Sequence, residues 1–144
     1  MFLMKLTRAA TYALHALVYM ATQENGKTPV ASHDIAAARG IPERFLLKVL
    51  KPLVDHDLLS SVKGPNGGYT LRRPASEITL LDVLEAVDGP IHGGGPLLEG
   101  GNVKEDRRQE RAPLNQKLEQ ICLQTADALR SHLEKITISE LIPA

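Results

Sequence analysis

The stretch from Ile41 to Arg72, IPERFLLKVLKPLVDHDLLSSVKGPNGGYTLR, most constrains what this chain can fold into. Pro42 suits a first helical turn, where a missing N–H costs nothing, and Glu43 beside it favours the positive end of the helix dipole. Leu46, Val49, Leu50 and Leu53 then share one helical face, while Arg44, Lys48 and Lys51 fall mostly away from it. Pro52 breaks the pattern, because it removes the bond to the Lys48 carbonyl, and a kink or looser turn is expected there. Beyond the helix, Leu58 to Lys63 and Tyr69 to Arg72 alternate at strand period around Gly64-Pro65-Asn66-Gly67-Gly68. A basic helix followed at once by a hairpin with basic arms is the layout of a winged helix. In that layout the helix enters a DNA major groove and the hairpin meets the neighbouring phosphates.

The glycine-rich turn could also suggest a nucleotide loop. Such a loop needs a buried strand before it, a Lys-Ser or Lys-Thr ending and a helix after it. Tyr69 instead starts another strand and Pro74 follows, so the turn reads as a wing. Lys63, Arg72 and Arg73 on its arms are the candidate phosphate or minor-groove contacts.

Net charge is zero over 144 residues, which on its face disfavours a nucleic-acid partner. The charge is unevenly divided, however: residues 1 to 73 carry +5 and residues 74 to 144 carry −5. The basic half contains the helix and hairpin. Hydrophobic content of 43% supports a core, and 3% aromatic content with no Trp makes that core aliphatic. No stretch approaches the roughly 18 apolar residues of a membrane span, so a soluble, cytoplasmic protein without a membrane partner is expected. One cysteine, Cys122, excludes an intrachain disulfide framework and a cysteine-ligated metal cage.

Ahead of the helix and hairpin, Leu6, Ala10, Ala13, Leu14, Leu17 and Met20 predict an amphipathic helix from Lys5 to Gln23 with Thr7 as N-cap. Arg8 and Tyr12 near its start are placed to meet a phosphate, although Tyr12 reads equally well as a half-buried core residue. Ser32 is expected to cap a second helix, His33 to Arg39, closed by Gly40, which completes a helix-turn-helix. Thr79 with Asp82 predicts a capping box for a helix from Leu80 to Asp88. Gly89 to Pro113 holds six glycines and three prolines and ends in a charge cluster, so residues 91–112 read as a mobile loop. Pro113 is expected to open a last helix of about 23 residues, roughly 34 Å. Its stripe of Leu114, Leu118, Ile121, Thr125, Leu129, Leu133 and Ile136 asks for a partner, most simply its twin in a homodimer.

These residues together resemble a known family. LTRAATYALHALVYMA, IPERFLLKVLKPL, SSVKGPNGGYTLRRP, ITLLDVLEAVDGPI and ITISEL are similar to the Rrf-two family of bacterial winged-helix regulators, the relatives of IscR and NsrR. The likeness covers nearly the whole chain except Gly93 to Arg111. It implies a homodimeric transcription factor, usually a repressor, dimerised through the last helix. It also implies DNA contacts by residues matching Glu43, Arg44, Phe45 and Lys48, and by Lys63, Asn66, Gly67 and Gly68 in the wing. Some members carry Glu at the position of Leu47, so the preferred operator can differ here. Many members hold three cysteines before the dimerisation helix as ligands of an iron-sulfur cluster, and this chain has none there. His92 alone cannot replace them. Cys122 reads as a small apolar residue in or beside the dimer seam. His15, His33, His56 and His132 lack metal spacing.

The expectation is therefore a mainly α fold with a small β-hairpin wing. It comprises a winged helix-turn-helix DNA-binding domain over 1–90, a loop over 91–112, and a dimerisation helix and tail over 113–144. The DNA-contacting candidates are Arg8, Tyr12, Pro42, Glu43, Arg44, Phe45, Lys48, Lys51, Lys63, Asn66, Gly67, Gly68 and Arg72. Neither a metal nor a cofactor is expected. The partner is double-stranded DNA, most simply a palindromic operator. Alternatives are a winged helix that has become a protein-interaction module and a regulator that answers a small metabolite. No catalytic constellation stands out.

Overall fold

The structure, a computed structural model, describes residues 5–23, 26–91 and 105–143, with the side chains of 105–108 outside that description. The described chain is mostly helical with one antiparallel hairpin, in the order α1 (Arg8–Thr22), α2 (Ser32–Arg39), α3 (Glu43–Asp55), β1 (Leu59–Val62), β2 (Gly68–Leu71), a 3-10 turn (Ala75–Glu77), α4 (Leu80–Asp88), α5 (Glu105–Glu134) and α6 (Ile138–Leu141). It divides into two compact units, residues 1–90 with 133–144 and residues 91–132.

The first unit is organised around α1. Thr7 caps this helix, its hydroxyl oxygen accepting the Ala10 N–H at 3.0 Å. The same hydroxyl donates to the Asp88 carboxylate, which ties the start of α1 to the end of α4. The cap shortens the expected helix, and Leu6 lies exposed before it. Small residues Ala10, Ala13 and Ala16 on the buried face of α1 let α3 and α4 approach closely. Leu17 and Met20, with Ile35, Leu46, Leu50, Leu53, Leu58, Leu59, Ile78, Val83 and Ile138, complete an aliphatic core.

Several local expectations change. Ala31, not Ser32, is the N-cap residue of α2, and no side chain caps it. Ser32 is the first helical residue, and its hydroxyl donates to the Glu43 carboxylate at 2.8 Å. Helix α3 stays helical past Pro52 to Asp55. Burial of Leu53 and the bonds from His56 N–H to the Pro52 carbonyl and from Leu58 N–H to the Leu53 carbonyl hold its last turn. The Lys48 carbonyl that loses its donor belongs to an exposed residue, where water can serve it. The Thr79–Asp82 capping box forms as expected, both bonds at 3.0 Å.

The hairpin pairs Leu59 with Leu71, Ser60 with Thr70, Ser61 with Tyr69 and Val62 with Gly68. Its tip closes when the Gly67 N–H reaches the Gly64 carbonyl at 3.0 Å. Any β-carbon at Gly67 would fall 2.2 Å from the Val62 carbonyl oxygen, so this position excludes a side chain. The hairpin is also stitched to the connection between α1 and α2, because Val30 and Tyr69 exchange both backbone bonds at 3.0 and 2.9 Å.

The C-terminal end returns to the first unit. Leu80 N–H donates to the Ile136 carbonyl at 2.7 Å and Ile138 N–H donates to the Ile78 carbonyl at 2.8 Å, burying Ile138 completely. Ile136 therefore lies past the end of α5 and is not part of a helical stripe. Helix α5 runs 30 residues, about 45 Å. It begins at Glu105, so Pro113 lies inside the helix and does not open it. Residues 105–112 are thus helical, and the remainder of the expected loop, 92–104 with His92, lies outside the described residues.

Candidate nucleic-acid interface

Helix α3 is strongly two-sided. Leu46, Val49, Leu50 and Leu53 are at most 4% exposed, and that burial fixes its rotation. Glu43, Arg44, Phe45, Leu47, Lys48 and Lys51 then stand on the open side. Two of these are large apolar groups, with Phe45 at 37% and Leu47 at 42% exposure. The Phe45 ring is flanked by cations, with the Arg44 guanidinium 4.7 Å and the Lys48 ammonium 5.5 Å from its centroid. Such contacts hold both charges near one spot on the helix surface. Arg44 and Lys48 lie one turn apart on the helix, and their rotamers bring both cations to the one ring.

The start of α1 joins the same surface. Arg8, Ala9 and Tyr12 together with Phe45, Lys48 and Val49 line a shallow cleft of about 240 Å³. Arg8 is exposed, and Tyr12 is half-buried, packing against the core while it lines this cleft. Pro42 is exposed as the N-cap residue of α3. Glu43 is engaged by Ser32, which orients its carboxylate toward α2.

On the hairpin, Lys63 and Asn66 are exposed at the tip, and Gly67 and Gly68 are half-buried. Gly68 has φ +151°, and a β-carbon there would sit 2.4 Å from the Val30 carbonyl. The glycine at 68 thus permits the Val30–Tyr69 bridge. Arg72 pairs with Asp57 at 3.0 Å and Lys51 with Asp55 at 3.3 Å. Asp57 itself sits at φ +61° in the turn before β1. These exposed pairs are worth only about 0–1 kcal/mol, so either cation can exchange its carboxylate for a phosphate at little cost. Sequence reasoning missed Ser32, Asp57 and Val30 as residues that organise this surface, because each acts across a separation of 11 residues or more.

Comparison with known proteins meets this geometry at the level of the whole chain. The sequence model of the Rrf2 family, described as iron-dependent transcriptional regulator, matches residues 6–144. The chain belongs to the Rrf2 family. IscR of Escherichia coli, an HTH-type transcriptional regulator, is 32% identical over 140 residues, covering 96% of this chain and 80% of IscR. A Mycobacterium tuberculosis protein predicted to be an HTH-type transcriptional regulator is 44% identical over 88 residues, 61% of this chain; the match spans only about half, 54%, of that relative's length. Among solved structures, CymR of Bacillus subtilis, named the global cysteine regulator, superposes with a TM-score of 0.68 at 23% identity over 96% of both chains, which establishes the fold.

The iron in the Rrf2 description can be tested against the donors present. A cysteine-ligated cluster needs several thiolates, and this Rrf2 chain has Cys122 alone, exposed on α5. Among the described residues no group of three or more His, Cys, Asp or Glu side chains could hold a metal ion. The donor set does not fit such a cluster. Among the described residues no helix is long and apolar enough to cross a membrane.

Proposed function

We propose that this Rrf2 protein is a sequence-specific DNA-binding transcriptional regulator that works as a homodimer without a cysteine-ligated cluster. The observation that carries the reading is the open face of α3. Burial of Leu46, Val49, Leu50 and Leu53 leaves Arg44, Phe45, Leu47 and Lys48 outward, with Arg8 and Tyr12 beside them. A helix presenting this mixture can read base edges and thymine methyls while its cations meet phosphates. Lys63 and Asn66 at the wing tip would add contacts to the flanking backbone, and Gly67, Gly68, Lys51 and Arg72 would shape or supplement that arm.

The dimer rests on α5. Leu114, Leu118 and Ile121 are 60%, 39% and 56% exposed on it, and a second copy is the simplest cover for such a surface. Two-fold symmetry would present two α3 helices to half-sites about 34–36 Å apart, the spacing of a palindromic operator. Repression is the outcome that the family resemblance suggests.

Fluorescence anisotropy against the DNA upstream of the chain's own gene, beside a scrambled duplex, tests this. The expected result is salt-sensitive binding to the native fragment alone, with two chains per duplex. Lys63→Ala should weaken binding to every sequence and reduce the salt slope by about one. Equal, salt-insensitive binding to both duplexes would overturn the reading.

A further inference from the structure

At the root of the hairpin is a cleft of about 530 Å³ lined by Ala21, Lys27, Leu71, Arg72, Arg73, Pro74, Ala75, Ser76, Ser139 and Ile142. Its volume falls in the range of small-ligand pockets, about 300–1,000 Å³. Three of its side chains are cations, two are hydroxyls, and no carboxylate lines it among the described residues. The remaining lining residues are apolar. Arg72 is held by Asp57 at 3.0 Å, and Arg73 by Asp82 at 3.5 Å and the Glu77 carbonyl at 3.4 Å. These partners orient the two guanidinium groups, each of which retains further N–H donors. Lys27 follows Gly26 on the turn after α1 and is exposed.

The cleft is remote from the open face of α3. Arg8 and Tyr12 on the first turns of α1 border α3, whereas Ala21 on its last turn borders this cleft, roughly 20 Å along the helix axis. Its wall is the outgoing arm of β2, and its other side is the returning C-terminal segment at Ser139 and Ile142. We propose that this cleft binds a small free anion, a carboxylate or phosphate carried on a compact apolar body. The anion would sit among Lys27, Arg72 and Arg73, with the Ser76 and Ser139 hydroxyls as further donors and the body against Leu71, Pro74 and Ile142. A ligand seated there would touch the arm that carries the wing, so the site is placed to influence it. The proposal goes beyond the DNA-binding reading and stands on the cleft whether or not α3 binds DNA.

The test is an amide chemical-shift titration of the full chain with inorganic phosphate and, separately, with succinate and butyrate. Saturable shifts at Lys27, Arg72 to Ser76 and Ser139 are expected. Lys27→Glu and, independently, Ser76→Asp should each weaken them at least about tenfold, the scale of one lost charge-assisted hydrogen bond. Both positions are exposed, so both variants should fold. Shifts spread over all basic surfaces, or cleft shifts that survive both variants, would overturn the site. A short duplex supplies the other source of phosphate: if it moves the amides of Lys27, Arg73 to Ser76 and Ser139, the cleft belongs to the DNA interface and the free-anion proposal fails. A duplex that moves only α1, α3 and wing amides, Arg72 included, would leave the cleft to small anions.

Discussion

Gly68 carries a packing constraint that holds whatever it does toward DNA. The family resemblance implies a wing contact there, and its backbone position has a consequence independent of any ligand. With φ at +151° and a hypothetical β-carbon 2.4 Å from the Val30 carbonyl and 2.8 Å from the Ala31 nitrogen, only hydrogen fits. Gly68→Ala should separate the Val30–Tyr69 pair and lower stability by about 1–3 kcal/mol, visible as a thermal midpoint roughly 5 °C or more below the parent. An unchanged midpoint would mean that the hairpin can shift away from Val30 without loss. Charged residues behave differently at this scale. The Arg72–Asp57 and Lys51–Asp55 pairs are exposed and weak, so they set the resting orientation of the cations and contribute little to stability.

At the scale of elements, local sequence signals worked best where the whole signal lies within one turn. The capping box of α4 uses Thr79 and Asp82, three residues apart, and both reciprocal bonds form. Thr79→Ala should cost about 1 kcal/mol in chemical denaturation, and Thr79→Ser should restore most of it, since the hydroxyl acceptor is what the Asp82 N–H needs. Loss of equal size in the Ser variant would point instead to the methyl group. Local signals misled where tertiary contacts compete. Pro52 predicted a kink or looser turn in α3, and burial of Leu53 and the two backbone bonds beyond it keep the chain helical to Asp55. Ser32 looked like a cap, but its hydroxyl is taken by Glu43 on the next helix. Pro113 looked like a first-turn proline, and the charged run before it proved helical as well.

At the scale of the molecule, the unit that carries the hairpin is closed by the far end of the chain. Ile138 is fully buried in its core, and residues 136 and 138 exchange backbone bonds with Leu80 and Ile78. Ile138→Ala should therefore destabilise this unit by about 2–5 kcal/mol, although the residue lies some fifty positions beyond the last of its helices before α5. Hydrogen exchange should quicken at Leu80 and at core amides of α1 and α3 together. Acceleration confined to residues 136–143 would show that the C-terminal segment is an independent appendage.

The fold class, the two-sided α3, the hairpin and the capped α4 were legible in the amino-acid order, because periodicity, caps and glycine-rich turns act over a few residues. The open-face candidates Arg8, Tyr12, Arg44 and Lys48 were legible too, from their places on amphipathic helices, and Phe45 from the family resemblance. Which of them meet around one cleft, which cations are already paired, why Gly68 must be glycine and where residues 136–142 dock were decided by tertiary structure alone. Most of those facts depend on contacts between residues far apart in sequence, such as Val30 with Gly68, Asp57 with Arg72 and Ile78 with Ile138, and no local pattern encodes the distance across which a chain folds back on itself.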